Sequence, residues 1–235
     1  MNRTATLATV GLLVGAPIAA NLAFTGLGAA FDYPAVLRKP ADEVLATFLE
    51  DSTTISAWFG VLALGAAAMA PLAVLVGRLG DDQALKWSVP VGIAAAAVQV
   101  TGLLRWPLLV PGLANRAAHG SDGAARAAAI ADFQFINQWL GTALGETVGY
   151  ALTAGWTALV LVALGRALAG RWFVRLGAVS AAMIAAGVVA PLGVPGADEA
   201  NFVGYVLWSA WLVAFALVLL RGLRRGGVGL AGGPA

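Results

Sequence analysis

The chain has 235 residues, 60% hydrophobic and 11% charged, with a formal net charge of +2 and a mean hydropathy of +0.85. Soluble domains carry about 25% charged residues, so this chain lacks the polar surface of a water-soluble enzyme, and it is far too apolar for a disordered protein. The absence of cysteine excludes disulfides, thiolate metal sites and iron–sulfur clusters, and the single histidine, His119, excludes bis-histidine haem and histidine-cluster metal centres; no metal or cofactor is expected.

Crossing a hydrocarbon layer of about 30 Å takes roughly 20 apolar residues. Six stretches qualify, at about Thr6–Ala30, Ile55–Leu79, Trp87–Val110, Trp139–Leu164, Trp172–Leu192 and Phe202–Leu220. Lipid offers no hydrogen-bond partners, so each must satisfy its backbone internally as a helix. The fold class is therefore all-α: a polytopic bundle of six transmembrane helices, one integral membrane domain over residues 1–235.

In the first stretch, Arg3 precedes an apolar run that has no small-x-small cleavage pair between Ala16 and Thr25. The run continues to Ala30, too long for a signal peptide, so the segment is expected to stay as a span. Gly11 and Gly15 should let a neighbour approach closely, Pro17 should kink the helix, and Asn21 and Thr25 align at i,i+4 toward the outside. The connection that follows contains Pro40, suited to a helix opening, with Val44, Leu45, Phe48 and Leu49 on one face. That is a short amphipathic helix, either lying on the outer interface and capping a pocket mouth or burying its own stripe as a connector.

Pro71 should kink the second span. The third carries Thr101 and, about five residues or roughly 8 Å below its outer end, Arg105; Gln99 lies nearer mid-membrane on a different face. The connection from Pro111 to Gln138 reads as a second short helix with Ser121 as N-cap and Asp122 and Arg126 at i,i+4; His119, exposed beside Gly120, reads as incidental. In the fourth span Glu146 lies about seven residues, roughly 10 Å, below Trp139. Thr142, Glu146, Tyr150 and Thr153 share a face at α-helical spacing, and Gly141, Gly145 and Gly149 flatten another. The sixth span places Asn201, Tyr205, Trp208 and Ser209 in its outer half, and the tail Arg221–Arg225 reads as a topological anchor beside anionic headgroups rather than a nucleic-acid site.

With a cytoplasmic N-terminus, nine basic residues (Arg3, Arg78, Lys86, Arg166, Arg171, Arg175, Arg221, Arg224 and Arg225) face inward, against five outside (Arg38, Lys39, Arg105, Arg116 and Arg126). The bias puts both termini in the cytoplasm. Arg105 and Glu146 are the only ionisable residues within spans, and such groups are costly unless paired. Adjacent antiparallel helices bring them to nearly one depth, so a buried Arg105–Glu146 contact is expected. The inner half has no ionisable counterpart, which points to a polar pocket open to the outer side over an apolar plug, not an ion path. Its candidate ligand-binding residues are Arg105, Glu146, Tyr150, Thr142, Asn21, Asn201, Tyr205 and Trp106.

Several blocks together resemble an uncharacterised bacterial multi-pass family, domain of unknown function 4386. They are Phe31-Asp32-Tyr33-Pro34 with Leu37-Arg38-Lys39-Pro40 and Glu43-Val44-Leu45; Arg105-Trp106-Pro107 with Val110-Pro111 and Leu113-Ala114; Gly145-Glu146 with Gly149-Tyr150 and Trp156-Thr157; and Gly204-Tyr205 with Leu207-Trp208. The resemblance implies a helical fold in a bacterial cytoplasmic membrane and marks Arg105 and Glu146 as family-type charged positions; it implies no activity or substrate. Some relatives carry a histidine directly after the glutamate, where this chain has Thr147.

The expected function is a receptor or accessory role in which the pocket binds a small amphiphile or lipid, with membrane lipids and no nucleic acid as partners. One alternative is an intramembrane acid–base enzyme, such as an isoprenoid cyclase or isomerase with Glu146 as the catalytic acid; another is a secondary transporter, for which no internal repeat is visible. A purely structural role of Arg105 and Glu146 as an interhelical clip stands beside these.

Overall fold

The computed structural model describes residues 2–225; residue 1 and residues 226–235 of the expected domain lie outside that range. Among the described residues the chain is helical without strands, and six of its helices are long and apolar enough to cross a membrane. They are α1 (Arg3–Phe31); α3 (Ser52–Ala67) continued by α4 (Met69–Gly77); α5 (Gln83–Leu108) continued by α6 (Val110–His119); α7 (Gly123–Ile136) continued by a π-helical stretch (Asn137–Val148) and α8 (Gly149–Ala169); α9 (Arg171–Ala186), extended by a 3-10 turn (Gly187–Leu192); and α10 (Ala197–Arg224). The short helix α2 (Ala41–Glu50) and a 3-10 turn (Ala35–Arg38) fill the first long connection. This is a multi-pass membrane helical bundle.

The spans close into a ring in chain order. Helix α1 packs on α3, α3 and α4 on α5, α5 on α8, α8 on α9, α9 on α10, and α10 returns to α1. Tight connections enforce that order. Gly170, with φ 76°, alone joins α8 to α9. Three of the acidic residues beside the spans serve as N-caps: Asp51 accepts from Thr54 N at 3.3 Å, Asp82 from Ala84 N at 2.7 Å and Asp122 from Ala125 N at 2.8 Å. The cap of α7 is thus Asp122, not the expected Ser121, because the aspartate's carboxylate reaches the N–H three residues on. Ala68 breaks the second span, three residues before Pro71, whose missing N–H frees the Ala67 carbonyl; α1 runs through Pro17 as one helix.

The third and fourth spans are much longer than hydropathy indicated. Gln83–His119 is 37 residues and Gly123–Ala169 is 47. At 1.5 Å per residue they measure about 55 and 70 Å, more than a crossing of about 30 Å needs, and α6 and α7 form a helical hairpin at one end of the ring, tied by Arg116–Asp132 at 3.2 Å. That end is called the hairpin end below. Helix α2 packs against α6 and α7 with Val44, Leu45 and Phe48 fully enclosed, so its apolar stripe is buried by the protein itself.

Two apolar clusters fill the ring. At the hairpin end Phe31, Phe48, Phe59, Trp106, Phe133 and Val36 gather residues from the first three spans, α2, α6 and α7. Toward the other end Leu13, Leu72, Leu85, Trp156, Phe173, Trp211 and Phe215 draw on all six spans. Gly11 and Gly15 correct the expectation made for them: nothing lies within 4 Å of a Cβ at either, because that face of α1 is turned outward.

Candidate functional site

The interface of α5 with the π-helical stretch sets the geometry. A Cβ on Gly102 would stand 2.8 Å from the Cα of Gly145; one on Gly141 would stand 2.6 Å from Nη2 of Arg105; one on Gly149 would stand 2.8 Å from Cγ of Gln99. The three glycines, four residues apart, therefore face Arg105, Gly102 and Gln99, three apart, in antiparallel order. This is the ridge-and-groove match of a 3-4 helix contact, and lacking side chains it becomes backbone on backbone, as small-xxx-small faces do in membranes. The backbone over Asn137–Val148 is wound i→i+5 for 12 residues, far beyond the single π turn usually found, often at functional sites.

Arg105 is 4% exposed, one turn before the helix break at Leu109. Its guanidinium rests on Gly141, with Cζ 5.3 Å from the centroid of the Trp106 ring, a cation–π contact. Nη1 donates to the Gly102 carbonyl, Nη2 donates to Oδ1 of Asn137 at 3.0 Å, and Nε is buried with no partner. The expected ion pair is not formed: among the described residues no carboxylate, Glu146 included, lies within 4.0 Å of Arg105. The reason is register. Because the span begins well before Trp139, Arg105 stands at the level of Gly141, while Glu146 lies further along, beside Gly145 at the level of Gly102.

Glu146 is half-buried and makes no side-chain hydrogen bond among the described residues. Arg105, Tyr33, Tyr150, Tyr205 and, at the start of α10, Asp198 lie within electrostatic range of it. The sequence holds three tyrosines, and all of them meet in this neighbourhood. Tyr150 and Tyr205 lie 5.7 Å apart between ring centroids at 63°; the Tyr205 hydroxyl is buried beside Thr153 without a well-directed hydrogen bond. Tyr33, in the connection after α1, packs on Phe59 at 5.3 Å. Burial pushes its phenol above the ordinary tyrosine range, the Glu146 carboxylate pushes the same way, and Arg105 pulls it back.

Of the sequence-nominated residues, Arg105, Glu146, Tyr150 and Tyr205 thus share one polar neighbourhood. Thr142 stands half-buried beside Gly141 without a side-chain hydrogen bond among the described residues. Asn201 is at the border: its Nδ2 donates to the Ile184 carbonyl at 2.8 Å and it shares the surface of Gly187 with Tyr150. Asn21 is exposed and joins α1 to α10, donating to the Pro17 carbonyl at 2.7 Å and to Ser209 Oγ at 3.2 Å. Trp106 is sealed in the aromatic cluster, stacked on Phe59 at 4.7 Å and 4°. Its indole N–H, like those of Trp156 and Trp211, is buried without a partner inside an apolar cluster.

Sequence reasoning missed Asn137, Tyr33 and Gln99. Asn137 falls in a connection when spans are drawn by hydropathy; Tyr33 carries a signal as one of three tyrosines in the chain. Gln99, expected on a different face from Arg105, instead faces Gly149 and donates to Thr153 Oγ1 at 2.8 Å. Below it Trp208 Nε1 donates to Thr157 Oγ1 at 2.8 Å, so a polar belt crosses α5, α8 and α10 between the two apolar clusters.

No curated protein and no solved structure matches the chain at a significant level. A family model does: the one described as "Domain of unknown function (DUF4386)" matches residues 9–217. Arg105, Glu146 and the three tyrosines all fall inside that match, and with nearly the whole bundle covered the chain belongs to the DUF4386 family.

Proposed function

We propose that the hairpin end of the bundle binds a small amphiphile or lipid in a receptor or accessory role, with the polar head of the ligand among Arg105, Glu146, Tyr33, Tyr150 and Tyr205. The observation that carries this reading is the set of polar groups left without protein partners: Arg105 Nε and the Tyr205 hydroxyl are buried and unpaired, and Glu146 has no direct partner among the described residues. A buried unpaired polar group costs about 1–3 kcal/mol, which a head carrying both acceptor and donor atoms would recover. The cluster of all six spans closes the ring beneath, supporting a one-sided site rather than a path through the membrane. The inward bias of basic residues supports a bacterial cytoplasmic membrane with both termini inside. Thermal unfolding of the purified chain against a panel of lipids and amphiphilic metabolites tests the proposal. A compound that stabilises the wild type but not Arg105→Ala, with membrane insertion of the variant intact, is the expected result; equal stabilisation of both overturns it.

A second reading gains from one specific observation. A carboxyl meant to donate a proton to an alkene or epoxide is hindered by a contacting guanidinium, and Glu146 has none within 4.0 Å. Glu146 would be the catalytic acid and Tyr150 and Tyr205 its polar supports. Turnover that persists in Glu146→Gln eliminates this enzyme.

A further inference from the structure

Helices α6 and α7 leave a recess between them, apart from Arg105. A groove of about 300 Å³ runs between them, lined by Leu109, Gly112, Leu113, Phe135 and Ile136 and ending at Arg116 and Asp132. Leu109, Gly112, Leu113 and Arg116 follow i, i+3, i+4, i+7 and so form one stripe of the helix; Asp132, Phe135 and Ile136 form the facing one.

Depth gives the groove its meaning. Trp87 and Trp172 are exposed at one end of the ring and Trp139 at the other, where interfacial tryptophans stand. Counted from Trp87, about 30 Å of hydrocarbon at 1.5 Å per residue ends near Leu108, which is 69% exposed. Arg116 lies roughly 10 Å further out, in the headgroup layer. The groove therefore starts at the hydrocarbon edge, where Phe135 is 65% exposed, and finishes among headgroups on an ion pair of 3.2 Å whose side chains are 60% and 56% exposed. Apolar wall below and one cation beside one anion above is the complement of a single ligand chemistry.

We infer that this groove is a binding site for a zwitterionic membrane lipid with a primary-ammonium headgroup, its phosphate on Arg116, its ammonium on Asp132 and the start of an acyl chain along Leu109, Leu113 and Phe135. An anionic headgroup satisfies Arg116 but is repelled by Asp132. A quaternary ammonium cannot donate to the carboxylate.

The test is native mass spectrometry of the full chain taken gently from vesicles of equal phosphatidylethanolamine, phosphatidylglycerol and phosphatidylcholine. Phosphatidylethanolamine should be retained about threefold over each of the others, the scale of an exposed charge pair. Arg116→Ala and Asp132→Asn should each erase that preference. Gly112→Leu should also erase that preference without disturbing the fold, since nothing lies within 4 Å of a Cβ at Gly112. Equal retention of the three lipids, a preference for phosphatidylglycerol, or a phosphatidylethanolamine preference that survives Gly112→Leu overturns the inference.

Discussion

The two apolar clusters of the bundle differ in what surrounds them. The one that includes Trp156, Phe173, Trp211 and Phe215 takes side chains from every span and sits between helices bathed in lipid. There, burial gains little over contact with acyl chains, and stability comes from tight packing. The one around Trp106 takes residues from only half the ring and adds α2, α6 and α7, which stand beyond the hydrocarbon. The apolar area that α2, α6 and α7 contribute to it is removed from water and gains the full hydrophobic term of about 25 cal/mol per Å². The sector it leaves uncovered, beside the π-helical stretch, the 3-10 turn Gly187–Leu192 and the start of α10, is where Arg105, Glu146, Tyr150 and Tyr205 collect. A polar site survives in a chain this apolar because one cluster stops short of closing the ring.

Substitutions sharpen that contrast. The largest effect belongs to Gly102→Leu: with Gly145 Cα and the Leu140 carbonyl each 2.8 Å from the new Cβ, α5 is forced off the π-helical stretch. The cost exceeds about 4 kcal/mol, so size-exclusion chromatography should find no monodisperse protein. Next, Phe48→Ala should lose about 3 kcal/mol in thermal unfolding in micelles, whereas Leu64→Ala, at a position 72% exposed on the lipid face, should lose less than about 0.5 kcal/mol. Equal losses would mean that the hairpin cluster is not a water-side core. Asn137→Ala removes the one side-chain acceptor of Arg105 among the described residues and should cost about 2 kcal/mol. Glu146→Gln should cost less than about 1 kcal/mol; a loss of about 3–5 kcal/mol would identify the carboxylate as a structural clip after all. The smallest signal is spectroscopic. Absorbance titration of the wild type minus Tyr33→Phe should yield a phenol that ionises above the ordinary tyrosine pKa of about 10. Because the folded form holds that proton more tightly, the contribution of Tyr33 to stability is intact below this range and is lost as pH climbs through it.

Hydropathy made the six spans legible, because a window of about 20 apolar residues is nearly a sufficient condition for a crossing. It failed where helix continues into water: Gly123–Ile136, rich in alanine, extends the fourth span without adding to its apolar run. That failure spread to the site. Taking Trp139 as the start of the crossing put Glu146 opposite Arg105, whereas the longer helix sets Gly141 there and gives Asn137 the hydrogen bond. The composition of the site was legible from the scarcity of polar residues. Its pairing was not, because π winding leaves no mark in the spacing of side chains. The glycine series was read correctly as a contact face, but only the structure identifies α5 as its partner and puts Gln99 at its far end.

Closure of the ring in chain order bears on how the protein is made. Each helix leaving the ribosome meets its neighbour already in place, so four of the six seams can form before the last helix emerges. The seam between α1 and α10, with its Asn21–Ser209 hydrogen bond, must wait for the last helix. Until then α1 and α9 each present an unfilled flank, and a nascent chain halted before residue 197 would be an open arc, vulnerable to membrane proteases and quality control at those two edges.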